Sequence, residues 1–204
     1  AGKGFLYEGG IRVPAIVRFP GKVPPNSVVD TPVVTTDWPA TLLAWCGVAA
    51  PTPTDGVSVA KVLEGTGTLA DRPLYWHVPH YMNQGSRPGG AVRLGQWKLI
   101  QHYEDGRAEL FDLTADPGES TDVAATDPTH TAKLLALLTD WKKAVGAQEM
   151  AANPAFDAAL HRSLYVDVDP SRYAPATASA AAFEAMQAWR KGMNAAVPKG
   201  KKGE

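Results

Sequence analysis

The sequence predicts an α/β chain in two parts: a short α/β segment, then a smaller α+β unit made of an antiparallel sheet and a packing helix. Three observations carry the prediction. Residues 13–19, VPAIVRF, are an apolar run closed by Pro20–Gly21, the pattern of a buried strand of parallel-sheet type. Residues 91–113, AVRLGQWKLIQHYEDGRAELFDL, hold three β-prone runs separated by Gly95–Gln96 and Asp105–Gly106, the turn chemistry of a meander. Leu134, Leu138, Trp141 and Val145 then fall on one helical face, with Leu137 beside them, so that the stripe can cover one side of the sheet.

The remaining elements follow in order. Residues 22–33, KVPPNSVVDTPV, form a Pro-rich loop. Thr36 or Asp37 caps a helix in TTDWPATLLAWCGV, with Pro39 in its first turn and Gly47 at its end. Trp38, Leu42 and Trp45 recur on one face of it. PTPTDG is a loop and VSVAKVLEG a further short helix. The character changes near Asp71. RPLYWHVP is aromatic and β-prone, and NQGSRPGG is a flexible loop. Alternation in the meander puts Trp97, Leu99 and Tyr103 on one face. ADPGES is a turn, and Asp127–Pro128 opens the Leu-rich helix. Residues 147–177 read as irregular, and from about Ala178 an Ala-rich helix carries Phe183, Met186, Trp189 and Met193 along one side. The expected division is therefore 1–70, 71–146 and an extension, 147–204. There is no internal repeat.

Composition narrows the function classes. The net charge is −1, which argues against nucleic acid or an anionic membrane surface as partner. The basic tail PKGKKGE reads as a solvated terminus. No apolar run reaches the roughly 18 residues that span a bilayer, and no signal-peptide pattern is present. Cys46 is the single cysteine, so an internal disulfide is excluded. A Walker loop, a dinucleotide fingerprint, a G-x-S-x-G elbow, a zinc motif and a hard-cation cluster of acidic residues are all missing.

A few residues can carry chemistry. Lys3 lies between Gly2 and Gly4. Glycines let the backbone approach a ligand closely, and a lysine there is a compact charge suited to a phosphate or sulfate oxygen; a surface lysine in a turn is the plainer alternative. Glu8 and Arg12, four apart across Gly9–Gly10, are expected to form an ion pair or to bind backbone groups. His77 and His80 form a His-x-x-His pair, but Pro79 forbids a regular helix and no third metal ligand is near. Donation to a substrate anion or leaving group suits them, as does simple aromatic packing. Arg93 and Lys98 can meet an anion or stand as solvated strand residues.

GKGFLYEGGIRVPAIVRFPG, at residues 2–21, resembles the segment of the sulfatase family, arylsulfatase A-like members of the alkaline-phosphatase superfamily, that holds the sulfate-contacting lysine. TTDWPATLLAWCGV is similar to the family's D-x-x-P-T-L-L helix, and DGVSVAKVLEG to the loop that follows it. PLYWHVPHY and AVRLGQWKLI…ELFDLTADPGES resemble the C-terminal subdomain of bacterial members. The resemblance covers roughly residues 1–145; beyond them, NPAFDAAL alone is of a kind seen near some bacterial C-termini.

The resemblance implies that residues 1–70 are the tail of an alkaline-phosphatase-like α/β/α domain and that 71–146 are its C-terminal subdomain. It implies Lys3 as the sulfate contact, with His77 or His80 assisting the leaving alcohol or reading the substrate. Calcium and formylglycine are implied for the complete enzyme, with no metal ligand in this chain. The nucleophile motif, Cys or Ser followed by x-Pro-x-Arg, is missing. Cys46 precedes GVAAP, and Ser86 precedes RPGG with glycine where the arginine belongs. The chain is thus expected to be a C-terminal portion, inactive without an N-terminal half that completes the fold. It would contribute to hydrolysis of an aryl or carbohydrate sulfate, in a periplasmic or secreted location if typical of the family. Two other functions stay open: a portion of a phosphonate or phosphodiester hydrolase, and a non-catalytic module that binds sulfated glycan or a partner chain.

Overall fold

Alternating side chains set the centre of the protein. The computed structural model describes residues 2–196, so the basic tail lies outside the described residues. Strands β1 (Leu74–Val78), β2 (Gly89–Leu94), β3 (Trp97–His102) and β4 (Ala108–Asp112) form one sheet in that order. β2–β3 and β3–β4 are antiparallel, with Leu94 opposite Trp97 and Leu99 opposite Leu110. Gly95 and Gly106 turn the two hairpins at φ 59° and 72°, in the left-handed region that costs glycine nothing. The predicted meander is present, and the aromatic run LYWHV adds a fourth strand.

The period of two gives the sheet two buried faces. Val92, Leu99 and Leu110 point to one side, under Leu134 and Leu138 of a long helix. That helix, Pro128–Ala144, is capped by Asp127, whose carboxylate accepts from the His130 N–H at 3.0 Å. Trp141 stacks flat on Tyr75, with ring centroids 4.7 Å apart. Val145 lies past the helix end and is exposed. On the opposite face, Ala91, Ile100 and Phe111 are covered by Leu6, Tyr7 and Trp76. The N-terminal segment thus serves as the second covering layer, and a single helical turn at Glu8–Ile11 is its only regular element.

The chain divides into two units: one runs from the N-terminus to Val13 and resumes at Tyr75, and the other is Pro14–Leu74. The second unit is organised by Asp37, the fully buried first residue of the helix Asp37–Trp45. Its carboxylate accepts from the Val34 and Val57 N–H groups at 2.9 and 3.0 Å and from the Arg72 guanidinium. Thr41 Oγ1 accepts from the Val59 N–H, tying on the short helix Ala60–Leu63. Gly56 passes so close to the Thr36 carbonyl that no Cβ fits. These bonds turn Asp37, Ala40 and Thr41 inward and leave Leu42 exposed, so the apolar face expected from Trp38, Leu42 and Trp45 is not the buried one.

The run at 13–19 is not a strand. Val13 and Ile16 are 74% and 93% exposed. The described strands pair only with one another, so this run has no ladder partner, and an unpaired strand leaves its backbone groups unmet. The stretch read as irregular contains a helix, Ala158–Tyr165, capped by Asp157, which accepts from the Ala159 and Leu160 N–H groups. A 3-10 turn at Pro170–Arg172 and the helix Ala180–Ala196 follow. Leu164, Trp189 and Met193 form the extension's own small core.

One ion network fastens the covering segment to the sheet. Lys98 projects from β3 beside Ile100 and is fully buried. Its Nζ lies 3.0 Å from Glu8 Oε1 and 2.8 Å from Glu119 Oε1. Arg93, its cross-strand neighbour, reaches Glu8 Oε2 at 3.5 Å, and the Glu8 N–H donates to Glu119. Burial raises the Glu119 pKa, opposed by the Lys98 charge. Glu119 also holds φ 54°, a conformation costing a non-glycine residue on the order of 1–3 kcal/mol. The expected Glu8–Arg12 pair is replaced by this arrangement. The helical turn ends at Ile11 and Arg12 turns extended, so the four-residue spacing no longer brings the two side chains together. Lys98, read as a possible anion contact or solvated residue, is committed to the two carboxylates. Lys98→Met should cost about 3–5 kcal/mol in urea unfolding, because it removes the only cation paired with the buried Glu119 among the described residues and leaves Glu8 with the longer Arg93 contact. Arg12→Ala should stay within about 0.5 kcal/mol. Equal stability of the two variants would show that the network does not hold the segment.

Candidate functional site

Lys3 sits at the crest of a tight turn. The Phe5 N–H donates to the Gly2 carbonyl at 3.2 Å, and Gly4 takes φ 97°, the positive φ that a type II turn requires after its first corner. The turn is held from the loop before β2, at residues 83–88. Ser86 Oγ donates to the Gly4 carbonyl at 2.6 Å, and a Cβ on Gly4 would meet Gln84 at 3.0 Å. Ser86, set aside as a nucleophile, is therefore a support for Lys3. The Lys3 side chain is exposed and lines a recess of about 470 Å³, together with Phe5, Tyr173, Phe183, Gln187 and Arg190.

A second cavity, of about 320 Å³, lies over the sheet face that the N-terminal segment covers. Glu109 is its polar centre. It accepts from Tyr7 Oη at 2.6 Å, from His102 Nε2 at 2.9 Å and from Arg107 Nη1 at 2.9 Å. Burial alone would raise its pKa, but the hydrogen bonds from His102, Tyr7 and Arg107 outweigh it and bring the value down to about 2. Burial and the Glu109 carboxylate push the Tyr7 hydroxyl well above its ordinary range.

The two histidines stand elsewhere. His77, on β1, has both ring nitrogens engaged: Nδ1 with Tyr103 Oη at 2.7 Å and Nε2 with the Gln148 carbonyl at 2.8 Å. A carbonyl only accepts, so Nε2 carries the proton and Tyr103 donates to Nδ1. His80 is exposed. Neither lines the Lys3 recess. Arg93 faces Glu8, and Cys46 is exposed. Among the described residues no three His, Cys, Asp or Glu side chains converge as metal ligands.

Sequence reasoning missed the Tyr7–His102–Arg107–Glu109 cluster and the Tyr173, Gln187 and Arg190 lining. His102 could have been found, since alternation puts it on the face of Lys98 and Ile100. Tyr7 meets Glu109 across 102 residues of chain, and Tyr173, Gln187 and Arg190 meet Lys3 across more, beyond any local period.

Comparison with known proteins assigns the chain to a family. The sulfatase of Formosa agariphila is 38% identical over 147 residues, covering 66% of this chain and 27% of that protein. The N-acetylglucosamine-6-O-sulfatase of Bacteroides thetaiotaomicron is 32% identical over 126 residues, covering 59% and 23%. The crystal structure of Ps i-CgsB has the same fold over 60% of this chain and 27% of its own, at a TM-score of 0.51 and 21% identity. The chain belongs to the sulfatase family. Its matching family model is N-sulphoglucosamine sulphohydrolase, C-terminal, over residues 2–144. The chain spans about a quarter of the length of these curated relatives, and the family match ends before the helix Ala158–Tyr165.

The Glu109 cluster makes acid stability its signature. Its folded pKa, about 2, lies below the ordinary 4.5, so the stabilisation is complete above the unfolded value and is lost as pH falls toward the folded one. Unfolding free energy should therefore drop between about pH 4.5 and 2, and Glu109→Gln should flatten that slope. An unchanged slope in the variant would mean that other carboxylates control it.

Proposed function

We propose that this chain supplies a sulfate-contacting lysine and one wall of the substrate pocket in a sulfuric ester hydrolase acting on an aryl or carbohydrate sulfate. The observation that carries the reading is the Lys3 turn: an ammonium on a glycine corner, braced by Ser86 and Gln84, that opens on a recess. Family membership supports the reaction class. The name of the Bacteroides relative, an N-acetylglucosamine-6-O-sulfatase, supports a carbohydrate sulfate.

Hydrolysis of a sulfate ester breaks the bond between sulfur and the ester oxygen. Water supplies the new oxygen on sulfur, and the departing alcohol takes a proton. Negative charge grows on the leaving oxygen and is shared by the sulfate oxygens, where a fixed cation stabilises the transition state more than the ground state. Lys3 has that role. Its turn is in place before the charge develops, so little reorganisation is needed at the moment of reaction. His80, exposed, is available to the leaving alcohol or to the substrate; His77 would first have to release Tyr103 or Gln148. In the complete enzyme, calcium and formylglycine would supply the Lewis acid and the nucleophile. This reading places both, with the C/S-x-P-x-R motif, in residues beyond these 204.

The chain alone should therefore show neither aryl sulfate turnover nor tight calcium binding by calorimetry. Joined to a nucleophile-bearing sulfatase portion, Lys3→Ala should lower kcat by about 10²–10³-fold, with stability within about 0.5 kcal/mol of wild type. Lys3→Arg should not fully rescue it, since a planar fork does not replace a compact ammonium. Near-normal kcat in Lys3→Ala would remove Lys3 from the chemistry.

A further inference from the structure

The extension that follows the family match is built onto the loop that braces Lys3. At Gly85 an added Cβ would meet Pro170 Cγ and Trp189 Cζ2, each at 2.5 Å. Only a glycine lets the 3-10 turn and the last helix come this close. Gly85 stands between Gln84 and Ser86, the two residues that hold the Lys3 turn. Trp189 is fixed in turn by its Nε1–H, which donates to the Leu164 carbonyl at 2.8 Å. The same extension supplies most of the recess around Lys3.

The lining has a mixed chemistry. Phe5, Phe183 and Met186 offer apolar surface, while Tyr173, Gln187 and Arg190 offer hydrogen-bond donors. The Tyr173 hydroxyl is buried with no partner among the described residues. A buried donor without a partner is costly, and a ligand in the recess would supply one. Neither Lys3 nor Arg190 takes part in an ion pair among the described residues. Two cations outside any ion pair among the described residues, with the Arg190 guanidinium 5.8 Å from the Trp189 ring centre, suit a sugar ring with two negative groups.

We infer that residues 170–190 form a second recognition wall, which selects a saccharide sulfate bearing a further anionic group, sulfate or carboxylate. Lys3 takes the first sulfate, Arg190 the second anion, and Tyr173 and Gln187 the ring hydroxyls. This rests on the assignment of Lys3 to sulfate made above.

Calorimetric titration of the 204-residue chain with three probes tests it. N-acetylglucosamine 6-sulfate carries one anion; glucosamine 2-N,6-O-disulfate carries two sulfates; glucuronic acid 2-sulfate carries a sulfate and a carboxylate. At least one dianionic probe should bind about tenfold more tightly than the monosulfate, as one added charged contact implies, and which one does so identifies the second group. Arg190→Ala should remove that advantage, bringing the affinity for the dianion down to that for the monosulfate. Tyr173→Phe, which deletes one oxygen, should weaken the same probe several-fold. If no dianion has an advantage, or if the advantage survives Arg190→Ala, the wall is not a recognition surface, and absence of binding by all three probes overturns it as well. Lys3→Ala separates the two assignments. If it leaves all affinities unchanged while Arg190→Ala removes the advantage, the wall stands and the sulfate role of Lys3 falls.

Discussion

A lysine buried in a sheet must be answered by carboxylates, and the docking of the N-terminal segment onto the sheet is arranged around that requirement. Lys98 has no exposed surface. Left alone there, its charge would be strongly disfavoured. Glu8 arrives from the N-terminal segment and Glu119 from the turn after β4, 90 residues apart from Lys98 in one case and adjacent to its sheet in the other. The net gain from such a network is small, because desolvation offsets most of the attraction. Its effect lies in asymmetry: every alternative placement of the N-terminal segment leaves a buried charge unmatched. That fixes where residues 2–13 lie, and Leu6 and Tyr7 then close the second face of the sheet.

Lys3 inherits its position from this docking. Four residues lie between it and Glu8, and over this stretch the turn, the Ser86 bond to the Gly4 carbonyl and the Gln84 contact remove the remaining freedom. The ammonium stands at the surface although its backbone is held by buried partners. Side chains that must meet developing charge work best when the scaffold has already lost the freedom that binding would otherwise remove. The core of the sheet and the crest of the turn are therefore parts of one device, linked by backbone bonds instead of by direct contact between Lys98 and Lys3.

What was legible in the sequence follows from the range of each signal. The meander and the Leu134–Leu138 stripe were legible because their periods are local. The start of the helix at Asp127–Pro128 was legible because its signal lies within one turn. The strand expected at 13–19 failed because an apolar run states only that a segment prefers burial; a strand also needs a neighbour for its hydrogen bonds. Leu42 failed for a different reason, since three donors to Asp37 rotate the helix away from its most apolar face. Lys3 stood out through its flanking glycines and through the family resemblance. The residues around it did not, because Tyr173 and Arg190 reach it from the far end of the chain.

The two cavities show why local satisfaction matters more than the count of polar residues. Around Glu109, three donors surround one carboxylate, and its pKa falls to about 2 because each bond favours the ionised form. That cluster is complete; a ligand entering it would have to replace bonds already made. The recess at Lys3 has the opposite character, with two cations outside any ion pair among the described residues and a buried hydroxyl lacking a partner. Satisfied polar groups specify a fold, whereas unsatisfied ones held in place by that fold specify a ligand. The extension meets the bracing loop at Gly85 and the β3–β4 hairpin at Glu104, which accepts from His161 at 3.0 Å, so changes confined to Tyr173, Gln187 and Arg190 alter the shape and charge of the recess and leave those anchoring contacts in place.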